Sequence, residues 1–214
     1  MNLKTDAVKS YFKGLADIAI KLIATPVDFF RTMPKSGGLI DPMFFLVVTV
    51  LIDVIVIFVE SFVKHGVSVY GLGMLVVTLI IISMIAVILS FFVAGILYAI
   101  WSFMGSNENY ETSYRCMAYM QIIVPIAILV SVVPYLGLLC IAWWLYLMVT
   151  ATLVVHNLPA KPALLVFGII AALGGLAYYS SVSSAIKARE HLQEFTRELQ
   201  RMPGTNDTGN SGKQ

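Results

Sequence analysis

Charge is what this chain has least of. Asp, Glu, Lys and Arg make up 12% of its 214 residues, about half the ~25% usual in a soluble domain. With 59% hydrophobic residues and a mean hydropathy of +0.87, that shortage excludes an ordinary water-facing surface and leaves a membrane bundle as the class. The formal net charge of +2 provides no basic face for nucleic acid. Cysteine is nearly absent as well. Cys116 and Cys140 both fall in apolar runs and read as free, buried, small hydrophobes rather than as a disulfide or metal pair. No HExxH, GxSxG or phosphate-loop pattern occurs, and no cluster of Cys and His, so neither an enzyme nor a cofactor is expected and no metal site is predicted. His65, His156 and His191 are isolated and read as interfacial or solvated. Met1 to Ala24 lacks the uninterrupted apolar core of a signal peptide, so the first span is expected to serve as its own insertion signal.

What the chain has is long apolar runs. From Tyr114 to His156, Arg115 is the only charge. A hydrocarbon core of ~30 Å takes about 20 helical residues, so this run predicts two spans, about 114–133 and 136–155, returning through Pro134, Tyr135, Leu136 and Gly137. Three further spans are predicted at about 42–63, 74–103 and 163–181. The second is too long for the core and must tilt, bend or project. The fold class is therefore an all-α, polytopic, five-helix membrane bundle with an amphipathic helix at each end. It divides into a head (1–41), a membrane domain (42–181), an amphipathic C-terminal helix (182–202) and a disordered tail (203–214).

In the head, Val8, Tyr11, Phe12, Leu15, Ala19 and Leu22 recur at helical spacing, with Lys9, Lys13, Asp17 and Lys21 on the other side. That pattern suits a helix lying at the membrane interface or packed on the ends of the spans. Thr25-Pro26 reads as a cap followed by proline at the first helical position, and Asp41-Pro42 repeats the device. Between them Ser36-Gly37-Gly38 reads as a flexible link.

Three polar residues fall within spans: Asp53, Glu60 and Gln121. An ionised carboxylate at mid-bilayer costs on the order of 3 kcal/mol by insertion scales, and no Lys or Arg lies in a span core to offset it. Asp53 is thus expected to be protonated or hydrated, sharing a hydrogen bond with a side chain such as Gln121 on a facing helix. It is either a structural carboxyl or an ion, proton or headgroup site. Glu60 stands four residues before Lys64, a favourable helical pair. Pro125 should kink the third span. Ala86, Ser90 and Ala94, with Gly95 beside them, and Gly168, Ala172 and Gly175 form small-residue ladders, which predict close helix contacts inside the bundle or between protomers.

The stretch ATPVDFFRTMPKSGGLIDPMFF, with Pro26, Phe29 and Phe30, resembles the entry segment of the Ypt-interacting (Yip) domain family. Gly105, Tyr114 and Pro125 resemble that family's Gly…Tyr…Pro pattern leading into the third span. The resemblance implies five membrane helices, a cytosolic N-terminus and, for eukaryotic members, Rab-type GTPase partners in vesicle traffic. The head here is only about 40 residues long, which fits a bacterial member in the cytoplasmic membrane. Lys and Arg number eight on the N-terminal side against six on the other, a bias toward the same orientation. The partners expected are the bilayer, a second copy or another membrane protein, with a Rab-type GTPase only in a eukaryotic setting. The role expected is a non-enzymatic membrane organiser; the alternative is a small transporter, channel or lipid-translocating protein using Asp53.

Overall fold

The structure, a computed structural model, describes residues 3–65 and 69–201. All eight elements among them are helices: α1 (Leu3–Ala24), α2 (Pro26–Thr32), α3 (Ile40–His65), α4 (Val69–Phe103), α5 (Tyr110–Met120), α6 (Ile123–Val130), α7 (Gly137–Val154) and α8 (Ala160–Arg201). Five membrane spans are carried by α3, α4, α5 with α6, α7 and α8. The tail 203–214, the Glu60–Lys64 pairing and the side chains of residues 4–12 lie outside the described residues.

The spans form a row, and near the head face the Trp101–Thr152 hydrogen bond also joins α4 to α7. α4 packs on α3 and α5, α3 on α5 and α6, α6 on α7, and α7 on α8. Alternate crossings bring residues 34–39, 104–109 and 155–159 together at one end, here the head face. The 131–136 turn lies at the other end, the turn face. The core concentrates toward the head face. Phe45, Leu46 and Val50 of α3, Leu97 and Trp101 of α4, Tyr114 to Met120 of α5, and Leu147, Met148 and Ala151 of α7 are all buried. Leu22 of α1 and Phe29, Phe30 and Met33 around α2 close this core from below. Leu15, Ile18 and Ala19 pack against it, while Lys13, Asp17 and Lys21 stay exposed. The described part of the head helix, from Lys13 on, is thus packed on the span ends along its apolar face, one of the two placements its periodicity allowed.

Several boundaries differ from the sequence reading. The third span starts at Tyr110, not Tyr114, because Asn109 caps it: its side chain accepts from Thr112 N–H at 2.9 Å. The helix then stops at Met120 and resumes at Ile123. Pro125 has no N–H for the Gln121 carbonyl, and Val124 N–H takes that carbonyl at 3.0 Å instead. Gln121 and Ile122 likewise bond back three residues, to Ala118 and Tyr119. The result is a tightened break rather than a kinked continuous helix. The second span, Gly73–Phe103, agrees with the predicted 74–103, although helix α4 itself begins at Val69. The fifth span and the C-terminal amphipathic stretch are one unbroken helix of 42 residues, about 63 Å long. At α2, Thr25 stands at the N-cap and Pro26 follows, yet the Thr25 hydroxyl bonds back to Lys21 O at 3.3 Å rather than capping forward. Asp41-Pro42 lies inside the first turn of α3, not before it.

Candidate functional site

Two polar clusters stand out, one at the head face and one inside the bilayer. The head-face cluster is built from three loops. α4 ends with Gly105 in the left-handed region, φ 96°. Ser106 N–H reaches Trp101 O at 2.9 Å and Gly105 N–H reaches Ser102 O at 3.0 Å, a helix stop of the Schellman kind that needs glycine there. This aims Ser106 at His156, whose Nδ1 lies 2.7 Å from the Ser106 hydroxyl. Trp101 stacks on the imidazole at 4.0 Å and donates its indole N–H to Thr152 at 2.9 Å.

Lys35 crosses the cluster. Its ammonium meets Glu108 Oε1 at 2.6 Å and Val155 O at 2.9 Å, so the head is tied to the α4–α5 loop and to the end of α7. Arg115, 3% exposed, donates to Gly38 O at 2.6 Å and to Glu111 Oε1 at 3.2 Å. The same Glu111 oxygen accepts from Gly38 N–H at 2.7 Å. Gly37 and Gly38 have φ of 124° and 88°, and a Cβ on Gly37 would stand 3.2 Å from the Arg115 guanidinium. The Ser36-Gly37-Gly38 stretch is therefore a clamped turn, not a flexible link. Its glycines are required by positive φ and by the close approach of Arg115.

His156 is 4% exposed, and its Nε2 is buried with no hydrogen-bond partner. Burial pushes its pKa down to about 4, helped by nearby Lys35 and opposed by Glu108. At neutral pH the ring is uncharged and a poor proton acceptor. The Ser106–His156 hydrogen bond joins the 104–109 loop to the 155–159 loop. His156 is thus a buried seam residue, not the interfacial or solvated one the sequence suggested.

The second cluster centres on Asp53, 7% exposed on α3. The Gln121 side chain hydrogen-bonds its carboxyl. Gln121 stands at the break between α5 and α6, both of which pack on α3. The other carboxyl oxygen, Oδ1, is buried with no hydrogen-bond partner. Glu60 is half-buried seven residues further along α3, about 10 Å away along the axis.

The remaining predicted residues divide. Phe29 and Phe30 are buried, and Phe29 packs edge-on against Tyr119 at 5.5 Å. Pro26 and Pro125 are buried where each helix begins. Tyr114 is fully buried, stacked on Phe91 at 5.0 Å with its hydroxyl 3.1 Å from Ser90 Oγ. Ser90 already donates to Val87 O at 2.7 Å, so Tyr114 is the donor in that pair. Ala86, Ser90 and Ala94 face inward along α4, and a Cβ on Gly95 would lie 4.0 Å from the Tyr110 ring. Among the described residues the other ladder is mostly uncovered. Ala172 is exposed, and a Cβ on Gly168 would meet nothing within 4 Å. Of that set only Gly175 approaches a neighbour, Leu138 at 3.9 Å. The tightest glycine is Gly137, read from sequence merely as a turn marker. A Cβ there would lie 2.5 Å from the Tyr178 hydroxyl.

Sequence reasoning also passed over Lys35, Glu108, Glu111 and Arg115 as a unit. The signal was present: Arg115 is the lone charge in its run, with Glu111 four residues before it. Among the described residues no group of three His, Cys, Asp or Glu side chains could hold a metal ion, and Cys116 and Cys140 are free.

Comparison with known proteins adds one match. The Yip1 domain matches residues 20–181, from α1 through the membrane-crossing part of α8. None of the curated proteins and none of the solved structures compared with the chain matches it. The matched region takes in the clamped glycine turn, the broken third span and both polar clusters, and the chain belongs to the Yip1 domain family.

Proposed function

We propose that this Yip1-domain membrane protein is a non-enzymatic organiser whose head, fastened rigidly to the bundle, presents a polar face to partners or lipids. The observation that carries this reading is the way the head is held. Leu22, Phe29, Phe30 and Met33 are buried against the span ends, and Lys35, Gly38 and Arg115 lock the following loop. Lys13, Asp17, Lys21, Asp28 and Arg31 are left facing outward. Covering the span ends this way serves no chemistry of its own, but it fixes the orientation of a charged surface at the membrane. The Lys and Arg bias supports a cytoplasmic head. A Rab-type GTPase is a partner only in a eukaryotic setting.

The test is quantitative co-purification from native membranes. A stoichiometric partner should be recovered with the wild type and lost when Lys21 and Arg31 are both changed to Glu. Recovery of the chain alone, or of the same proteins with the charge-reversed variant, overturns the reading.

The buried, half-satisfied Asp53–Gln121 pair supports a second reading, a small transporter or lipid-translocating protein. Flux or lipid scrambling in liposomes that is abolished by Asp53→Asn would favour it. Full activity of that variant, or no activity from the wild type, would dismiss it.

A further inference from the structure

The row of spans leaves a cavity of about 640 Å³ between α4 and α7, floored by α5 and α6 and also lined by Leu46 and Val50 of α3 and Tyr178 of α8. On α4 its lining runs from Ala86 to Leu97, and on α7 from Gly137 to Met148. Eleven helical steps on each wall make it about 17 Å long. Its two ends differ. Toward the head face it stops at Leu97, Met117 and Met148, all buried, six residues short of the ends of α4 and α7. Toward the turn face it reaches Ser131, Gly137 and Tyr178, where α6 ends and α7 begins. Gln121 lines the middle, and its side chain is bonded to Asp53. The lining is otherwise nearly all aliphatic, Met and Trp.

We propose that this cleft binds one acyl chain of a phospholipid belonging to the leaflet on the turn face. Three observations select that occupant. The cleft lies wholly within the span segments, at hydrocarbon depth, where an empty apolar groove forfeits contacts on both walls. Its length is about half of the ~30 Å core, the reach of one leaflet. Its volume equals about 20 groups of water or methylene size at ~30 Å³ each, which is one long acyl chain. A transmembrane helix from a second copy fits the cleft less well. A cylinder 10 Å wide and 17 Å long takes on the order of 1,300 Å³, twice the space available. The closed end gives the chain a direction: its methyl end lies by Met117 and Met148, and its ester end by Ser131 and Tyr178.

The full chain in nanodiscs, with a phospholipid carrying a photoactivatable diazirine near the end of one acyl chain, tests this directly. Labelling of the wild type should concentrate on Leu97, Met117 and Met148, at least fivefold above Leu165, which faces lipid at similar depth. It should saturate at one lipid per chain. Ala127→Trp, which fills the cleft, should reduce labelling of those three residues to the Leu165 level. Leu176→Trp on the outer surface of α8 should leave it unchanged. Equal labelling of the cleft and Leu165 in the wild type overturns the proposal, whether or not either variant folds. So does a cross-linked second copy whose residues map into the cleft.

Discussion

Asp53 and Arg115 face the same difficulty, an ionisable group with little water around it, and the chain handles them differently. Arg115 has a carboxylate and a carbonyl within hydrogen-bonding distance. A charged group held by such bonds keeps its charge, and removing either side leaves the other uncompensated. Asp53 has Gln121 and no described cation. Because Asn keeps the shape and a donor, Asp53→Asn should fold almost as the wild type does. Asp53→Leu should cost about 1–3 kcal/mol by stranding the Gln121 side chain. Thermal unfolding in detergent checks both, and a Leu variant more stable than the wild type would contradict the pairing. His156 is the third such group. An unfolded histidine titrates near 6.5, whereas the folded one is pushed down to about 4 by burial. Between these values the unfolded chain takes up a proton that the folded chain refuses. Stability should therefore be complete above pH ~6.5 and fall by on the order of 3 kcal/mol as pH drops toward 4. Unfolding midpoints measured from pH 8 to pH 4 should show this slope, and His156→Phe, which retains a ring against Trp101, should flatten it.

Among the elements, α4 shows how a small-residue ladder acts when it does face a neighbour. Ser90 sits 3.1 Å from the Tyr114 hydroxyl with Ala94 fully buried one turn on. Ser90→Leu inserts bulk against Tyr114 and removes its acceptor, and should cost about 1–3 kcal/mol. A midpoint equal to wild type would argue against the contact. At the other end of the row, Gly137→Ala drives a methyl into Tyr178. It should lower the midpoint, and adding Tyr178→Ala should recover most of the loss if the clash is the cause. The third span was visible from its apolar run and from Pro125. Its division into α5 and α6 was not, because proline frees a carbonyl without saying which neighbour will take it. The Gly168–Ala172 spacing resembled the α4 ladder, but only neighbouring helices decide whether such a stripe is covered. Among the described residues Gly168 and Ala172 are not covered.

For the whole molecule, the consequence of the clamp is that head and bundle should move as one body. Arg115→Met removes the donor to Gly38 and leaves Glu111 without its buried cation. Amide exchange across residues 34–39 should then rise at least tenfold, the equivalent of about 1.4 kcal/mol or more, while exchange in α7 stays slow. If the 34–39 amides of the wild type already exchange as fast as an open loop, the head is not clamped and the organiser reading loses its support.

The sequence by itself determined the membrane class, the five spans, their order and the inward side of the first two. Each of these follows from local hydropathy and helical period, and no partner is needed to read them. It also named Asp53 and Gln121 as a candidate pair, since a carboxyl at mid-bilayer must find a polar neighbour. The tertiary structure alone decided which loops converge at the head face, that two glycines are pinned by Arg115, and that a cleft remains between α4 and α7. Those outcomes depend on which spans touch, and hydropathy is the same on every apolar face. A lipid-facing isoleucine and one lining a cleft are identical in the sequence; only the position of the next helix tells them apart.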